Sequence, residues 1–386
     1  MKILIINNSD GGLFLFRGAL IKRMISDGYE VVTISPYENG YITEIQELGA
    51  RTYEINFSGH STGLFNGIKI IIEIYKIIKF ENPDIVHSFT HKPNIFGAMA
   101  AKKAGVSNII MTLTGLGTLF TYNDFKTRLI RNFLIWQYKY VSKFATSIIC
   151  QNPDDLNDFK SFKIGDTKKY VLVNGSGIDL NDFSMPTTEE IQKSRMIISA
   201  EIKQNLLNKK IVLFPARALK EKGFFEFYEA AKIINSLTNE YIFVHLGLVD
   251  KHSKYGVTLD SINEFSNECG VHYLGFKNNI QEYMTASDIV VLASYREGTP
   301  RSLIEALALN KMIITTNTPG CKETVIDGWN GYYCHVNDTN SLVSKLMCSE
   351  DIIEKIENRS RIYCEKKYNV NLQYEVLVKL YKGIEK

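Results

Sequence analysis

Nowhere in the 386 residues does an apolar run approach the ~18–20 residues that cross a bilayer, although 45% of the chain is hydrophobic. Charge of one sign in excess is also missing: the net charge of +3 gives no support to bulk nucleic-acid binding. The six cysteines (Cys150, Cys269, Cys321, Cys334, Cys348 and Cys364) form no Cys-x-x-Cys pair and no Cys/His metal spacing. Scattered thiols in a chain of this length point to buried, reduced side chains and a reducing compartment. There is no Asp-x-Asp pair, so a catalytic Mn²⁺ or Mg²⁺ is not expected, and no other metal or cofactor is implied. No Gly-x-Gly-x-x-Gly follows the first strand pattern, which argues against a nicotinamide-dependent enzyme. Met1–Ile6 reads as a short strand running into Asn7-Asn8-Ser9-Asp10, not as a signal peptide. The expected location is the cytoplasm, peripheral to the cytoplasmic face of the inner membrane.

What is present is alternation. Strand patterns at Lys2–Ile6, Glu30–Ser35, Arg51–Phe57, Ile85–Ser88 and Asn108–Thr112 are separated by helical patterns near 16–26, 41–48, 64–80 and 93–103. Regular strand–helix succession implies right-handed crossovers and a parallel sheet. After Asn174-Gly175-Ser176-Gly177 the pattern breaks into a polar interval, roughly 179–210. It restarts at Ile211–Pro215 and continues through strands at Tyr241–Leu246, His272–Leu274, Ile289–Leu292, Met312–Thr315 and Gly331–Cys334. The expected fold class is α/β, with two Rossmann-like, doubly wound domains facing across a cleft. Their bounds are 1–180 and 190–371, and a last helix within 372–386 can pack back on the first.

The stretch Ser294–Ala306 (SYREGTPRSLIEA) organises the second half. It follows a buried-strand pattern and opens a helix, with Thr299 suited to the N-cap, Pro300 to the first helical position and Ser302 to the first turn. A helix start above a strand end is an anion site. Glu297 and Glu305 place two carboxylates beside it, and a ligand carrying phosphate and hydroxyl groups, such as a sugar nucleotide, fits that chemistry. Beyond strand Ile211–Pro215 stand Arg217 and Lys222. Taken alone they read as solvated loop cations. Together they can neutralise a diphosphate, the Arg by a bidentate contact and the Lys as a point charge.

In order and spacing, Arg217…Lys222-Gly223, Leu274-Gly275, Ala286-Ser287-Asp288, Glu297-Gly298-Thr299-Pro300…Glu305-Ala306 and Gly320…Glu323…Asn330-Gly331 resemble the donor-binding half of retaining glycosyltransferase family four, of GT-B fold. The resemblance implies that Glu305 binds the nucleotide ribose and that Glu297, with Gly298 and Thr299, contacts the donor sugar. Pro300, Arg301 and Ser302 complete that wall. Arg217 and Lys222 would hold the diphosphate. Gly275, Phe276 and Lys277 lie where the family reads the base. Two departures are Ala293 where Pro is frequent and Cys321 where a second Gly is frequent; neither touches a proposed charge.

In the first domain Gly11-Gly12 reads as a tight turn, and by resemblance as the acceptor-side loop that approaches the donor phosphates. His91, past the end of a strand, reads alone as a structural histidine; the resemblance makes it a donor-sugar ligand. Thr114 and Gly115 would shape the acceptor pocket. The implied catalytic set is His91, Arg217, Lys222 and Glu297. The implied reaction is metal-independent transfer with retention, in which the departing phosphate accepts the acceptor's proton.

The segment 125–144 is helical in pattern. Leu129, Phe133, Trp136, Tyr140 and Phe144 line one face, with Arg128, Arg131, Lys139 and Lys143 beside it. This pattern fits a helix lying on an anionic membrane, and equally a domain helix with its apolar face in the core. Membrane docking would suit a polyprenyl-diphosphate-linked sugar as acceptor, and the resemblance of Glu297–Ala306 and Thr90–Gly97 to enzymes that build bacterial lipid-linked oligosaccharides implies a UDP-sugar donor, with N-acetylgalactosamine the best guess. The setting would be the assembly of O-antigen lipopolysaccharide, capsule or glycoprotein glycan. The alternatives are a UDP-sugar 2-epimerase of the same fold and a non-catalytic sugar-nucleotide-binding subunit.

Overall fold

The computed structural model describes residues 1–57, 64–250, 253, 255–353 and 355–383. The chain divides into two compact units, Met1–Asp179 with Val370–Lys386, and Leu180–Asn369. In chain order the first unit runs β1 (Lys2–Ile6), α1 (Asp10–Ser26), β2 (Glu30–Ser35), α2 (Ile42–Glu47), β3 (Arg51–Glu54), α3 (Leu64–Glu81), β4 (Ile85–Phe89), α4 (His91–Ala104) and β5 (Asn108–Leu113). It continues through α5 (Phe125–Val141), β6 (Ser147–Cys150), α6 (Pro153–Ser161) and β7 (Tyr170–Leu172). The second unit is α7 (Thr188–Ile202), β8 (Lys210–Pro215), α8 (Phe224–Leu237), β9 (Tyr241–Leu246), α9 (Leu259–Cys269), β10 (Val271–Tyr273), α10 (Ile280–Ala286) and β11 (Ile289–Leu292). Then come α11 (Arg301–Ala308), β12 (Met312–Thr316), β13 (Gly331–Cys334), α12 (Thr339–Met347), α13 (Glu350–Ile353) and α14 (Arg359–Lys367). The last helix, α15 (Val370–Tyr381), returns to the first unit; residue 384, where its sequence pattern ends, lies outside the described residues.

Both sheets are wholly parallel. The first has the order β3-β2-β1-β4-β5-β6-β7 and the second β10-β9-β8-β11-β12-β13. Burial on both faces explains the nearly unbroken apolar strands. In β1 the two faces can be read residue by residue: Leu4 and Ile6 join the core under α3, α4 and α5, while Ile3 and Ile5 join the core under α1 and α15. Tyr374, Leu377 and Tyr381 of α15 belong to that second core.

In each unit the strand order reverses once, between β1 and β4 and between β8 and β11. Loops leaving the carboxyl ends of these neighbouring strands diverge to opposite faces, which opens a crevice there. Two expected boundaries move. Helix α1 begins at Asp10, not near Phe16, so Gly11 and Gly12 lie in its first turn; Ser9 caps it, its Oγ accepting from Gly12 N at 3.2 Å. Helix α4 begins at His91, which therefore sits in a helix and not in the loop before one.

Candidate active site

At the switch point of the second unit, the loop after β8 is tied to the loop after β11. Tyr295 N donates to the Glu221 carbonyl at 2.9 Å. The buried Ser294 hydroxyl lies 2.9 Å from the same carbonyl and 2.7 Å from Oε1 of Glu297. Gly223 makes this approach possible: with φ +84°, it lies where a Cβ would come within 2.5 Å of Ala293. The outcome is that the Lys222 ammonium donates to Glu297 Oε1, both side chains being mostly shielded from solvent. Glu297 is held from the other side as well. Its N–H donates to the Pro319 carbonyl at 3.0 Å. Gly320, at φ +82°, lies against the backbone of Glu297 and Gly298, where a Cβ would be 2.6 Å from the Gly298 oxygen.

Helix α11 starts one residue later than expected. Pro300 (φ −69°, ψ 120°) occupies the N-cap without a side-chain bond, and the Thr299 hydroxyl donates to the Gly298 carbonyl at 2.9 Å. Proline can occupy the cap because the position has extended backbone, but it offers no side-chain acceptor, so the first-turn N–H groups near Ser302 receive no cap from it. One turn in, Arg301 Nε donates to Glu305 Oε1 at 2.8 Å. Burial pushes the Glu305 carboxyl above its ordinary value, with Arg301 opposing. Arg301 also lies over the Phe183 ring, 5.7 Å from its centroid.

The two expected phosphate ligands have different partners. Arg217 is half-exposed and its Nη1 donates to Asp250 Oδ2 at 2.6 Å, whereas Lys222 is with Glu297. Gly275 has φ +71° and open space beside it, and Phe276 is exposed. Lys277 instead donates to Glu201 of α7 and lies over Tyr283 of α10. Cys321 is fully buried and its thiol is pushed up to about 12 by burial, so it acts as core.

At the switch point of the first unit, Gly11 is buried and Gly12 half-buried in the first turn of α1. Just before them, at the first position of α1, stands the buried Asp10, which sequence reasoning did not single out. Its carboxylate accepts from Asn39 N, Asn39 Nδ2 and Tyr41 N at 2.6–3.2 Å. Burial pushes its pKa up, but these donors prevail and hold it below the ordinary value. Across the switch point His91 is half-buried in the first turn of α4. Its Nδ1 lies 2.9 Å from the Tyr138 hydroxyl of α5, and its Nε2 lies 3.4 Å from the Leu116 carbonyl. Burial lowers the His91 pKa, against the Leu116 carbonyl, which raises it, and so favours the neutral ring. Thr114 and Gly115 belong to the same loop as Leu116, directly after β5; this loop and His91 are therefore neighbours.

Helix α5 turns Leu134, Tyr138 and Val141 into the core. The stripe expected from the wheel faces outward: Leu129, Phe133 and Tyr140 are exposed and Trp136 is 62% exposed, while Phe144, beyond the helix end, is half-buried. Phe133 and Trp136 stack at 5.7 Å. Lys126, Arg128, Lys139 and Lys143 are exposed, Arg131 is partly so, and 125–144 contains no acid. Among the described residues no helix is long and apolar enough to cross a membrane, and no group of three or more His, Cys, Asp or Glu is placed to hold a metal ion.

Similarity to known proteins agrees with this layout. Residues 2–152 match the family model "Glycosyl transferase 4-like" and residues 198–362 match "Glycosyl transferases group 1". The chain is 31% identical over 346 residues to the N,N'-diacetylbacillosaminyl-diphospho-undecaprenol alpha-1,3-N-acetylgalactosaminyltransferase of Campylobacter jejuni, covering 90% of this chain and 88% of that one. It is 26% identical over 333 residues to the UDP-Gal:alpha-D-GlcNAc-diphosphoundecaprenol alpha-1,3-galactosyltransferase of Escherichia coli, covering 86% and 82%. Anabaena HepE, solved in complex with UDP and glucose, superposes over the whole of both chains with a TM-score of 0.80 at 16% identity. The chain therefore belongs to the family-four glycosyltransferases and has the GT-B fold.

Proposed function

We propose that this protein transfers a hexose or N-acetylhexosamine, with N-acetylgalactosamine the best guess, from a UDP-sugar to a saccharide carried on undecaprenyl diphosphate. The pairing of Lys222 with Glu297 at the β8/β11 switch point carries this reading. It puts a cation for the leaving diphosphate next to a carboxylate for sugar hydroxyls. The Campylobacter and Escherichia relatives, whose names specify undecaprenol-diphosphate sugars, support the acceptor class. Their transferase activity also favours transfer over epimerisation or a binding-only role.

In this reading Glu305 accepts from the ribose hydroxyls, Gly275, Phe276 and Lys277 border the base, and the 298–302 segment meets the phosphates and sugar. Gly11 and Gly12 approach the phosphates, His91 hydrogen-bonds the donor sugar, and Thr114 and Gly115 shape the acceptor pocket. Lys222 and Arg217 offset the charge that develops as the glycosidic C–O bond breaks, the electrostatic task that a metal performs in other transferases. The acceptor oxygen attacks from the face the diphosphate leaves. Its proton passes to a departing phosphate oxygen, and configuration is retained without a metal.

The outward aromatic–basic face of α5 supports docking on the cytoplasmic surface of the inner membrane, where such an acceptor resides. Aromatic rings suit the interface, and clustered Lys and Arg suit anionic headgroups. The experiment is a donor screen (UDP-GalNAc, UDP-GlcNAc, UDP-Gal and GDP-mannose) with and without a synthetic polyprenyl-diphosphate sugar, in EDTA. Acceptor-dependent release of UDP supports the proposal. Conversion of the donor sugar without acceptor, or no turnover until a divalent metal is added, contradicts it.

A further inference from the structure

Four groups around His91 form a chain whose proton positions are fixed by what each partner can do. The Thr112 carbonyl can only accept, and it accepts from Asn94 Nδ2 at 2.9 Å. This orients the Asn94 amide with its NH₂ toward the network, and the second N–H of that nitrogen points at the Tyr138 hydroxyl, 3.3 Å away. Tyr138, accepting there, keeps its one O–H to give and lies 2.9 Å from His91 Nδ1, which accepts it when Nε2 carries the ring proton. His91 Nε2 faces the Leu116 carbonyl, again an obligate acceptor, at 3.4 Å, and this places the ring proton on Nε2. That last bond is long and the one most readily exchanged for a ligand.

The segment carrying His91 is also held under strain. Thr90, a β-branched residue, has φ 71° and ψ 169°, a region that essentially only glycine visits. It is fixed there by Thr90 N donating to the Thr112 carbonyl at 3.2 Å and by Asn94 N donating to the Thr90 carbonyl at 3.0 Å. Its hydroxyl is buried without a hydrogen-bond partner. Strain of this kind persists where surrounding structure over-determines a functional position. Asn94 thus braces both the backbone before His91 and the Tyr138 hydroxyl that meets its ring.

We propose that Tyr138 is a positioning residue: it holds His91 as the neutral Nε2–H tautomer, so that the ring presents a hydrogen-bond donor to an oxygen of the donor sugar. The inference rests on the reading that His91 meets that sugar. It also gives α5 two jobs on opposite faces: its outer face carries the exposed aromatic and basic residues, and its inner face sets the proton of His91. A helix turned by its contact with a lipid surface would move Tyr138 with it.

The test is long-range ¹H–¹⁵N NMR of the full-length protein labelled at histidine, wild type against Tyr138→Phe, with the His91 signals assigned by their loss in His91→Asn. Tyr138→Phe keeps the ring that packs edge-on against Phe159 at 5.1 Å, and so preserves the core. The wild type is expected to show a protonated Nε2 and a bare Nδ1. Tyr138→Phe is expected to show a mixture of tautomers, and turnover with the best donor–acceptor pair of the screen should fall about 10–100-fold, as when an orienting partner of a histidine is lost, with KM for the donor changed far less. Unchanged nitrogen shifts in Tyr138→Phe overturn the proposal, and so do altered shifts with unaltered turnover. Near-wild-type turnover of His91→Ala instead overturns the role given to His91 itself, whatever the tautomer.

Discussion

The ammonium of Lys222 donates to Oε1 of Glu297, joining the loop after β8 to the loop after β11. Both residues lie at the point where the strand order reverses, and the Ser294 hydroxyl donates to the same carboxylate oxygen at 2.7 Å. Lys222→Met keeps the length of the stem and removes the charge. The expected effect is a loss of about 10²–10³-fold in kcat, comparable to removing one preorganised electrostatic donor. Steady-state UDP release checks it, and a variant within twofold of wild type would remove Lys222 from the mechanism.

Gly320 lies against Gly298, so Gly320→Ala must open the loop that carries Glu297 or strain its own left-handed backbone. The variant should lose ~1–3 kcal/mol of stability and bind UDP more weakly. Calorimetric unfolding and a UDP titration measure the two effects separately. A variant with wild-type melting and affinity would show that this close approach does not hold the site.

Acid stability should depend on Glu81 at the end of α3. Burial alone would raise its pKa, but Arg51, Tyr53 and Lys2 outweigh burial and hold the carboxylate at about 2, against 4.5 for the free group. The unfolded chain binds that proton first as pH falls. The contribution is therefore complete above pH 4.5 and drains away between 4.5 and about 2. Glu81→Gln should cost on the order of 2–3 kcal/mol near neutrality, and the difference from wild type should shrink toward pH 2. Denaturant unfolding at several pH values tests the trend; a constant difference would contradict it.

Reversing Arg128, Arg131, Lys139 and Lys143 to Glu should abolish co-sedimentation with vesicles containing anionic lipid, since each basic residue near such a surface contributes about 1 kcal/mol. Trp136→Ala should weaken binding and leave the fold intact, because the side chain is exposed. Undiminished binding of the four-fold variant at low salt would exclude α5 as the docking surface.

Much of this architecture was legible because parallel strands buried on both faces write themselves as apolar runs, as Lys2–Ile6 and Ile289–Leu292 do. The charges at 217, 222 and 297 were legible too, since the segments that carry them follow directly from strand ends, and Glu305 lies one turn into the helix that follows. Helix α7 was missed inside a polar interval, although Thr187 and Glu190 form a reciprocal capping box that signals its start. The starts of α1 and α4 lie earlier than the pattern suggests, because Gly11 and Gly12 read as a turn and Pro93 as the first helical position, whereas in a first turn neither glycine freedom nor a missing proline N–H does much harm. The outward stripe of α5 could not be told from a core stripe by periodicity alone. Tyr138 was invisible as a partner of His91, because 47 residues separate them and only the packing of α4 on α5 brings them together.

The anomeric configuration of the product tests the central claim most directly. With UDP-α-GalNAc as donor and a polyprenyl-diphosphate sugar as acceptor, the small ¹H–¹H coupling of an α-linkage in the purified product is the predicted result. A β-linked product would contradict same-face attack, and with it the roles given to Lys222 and Glu297.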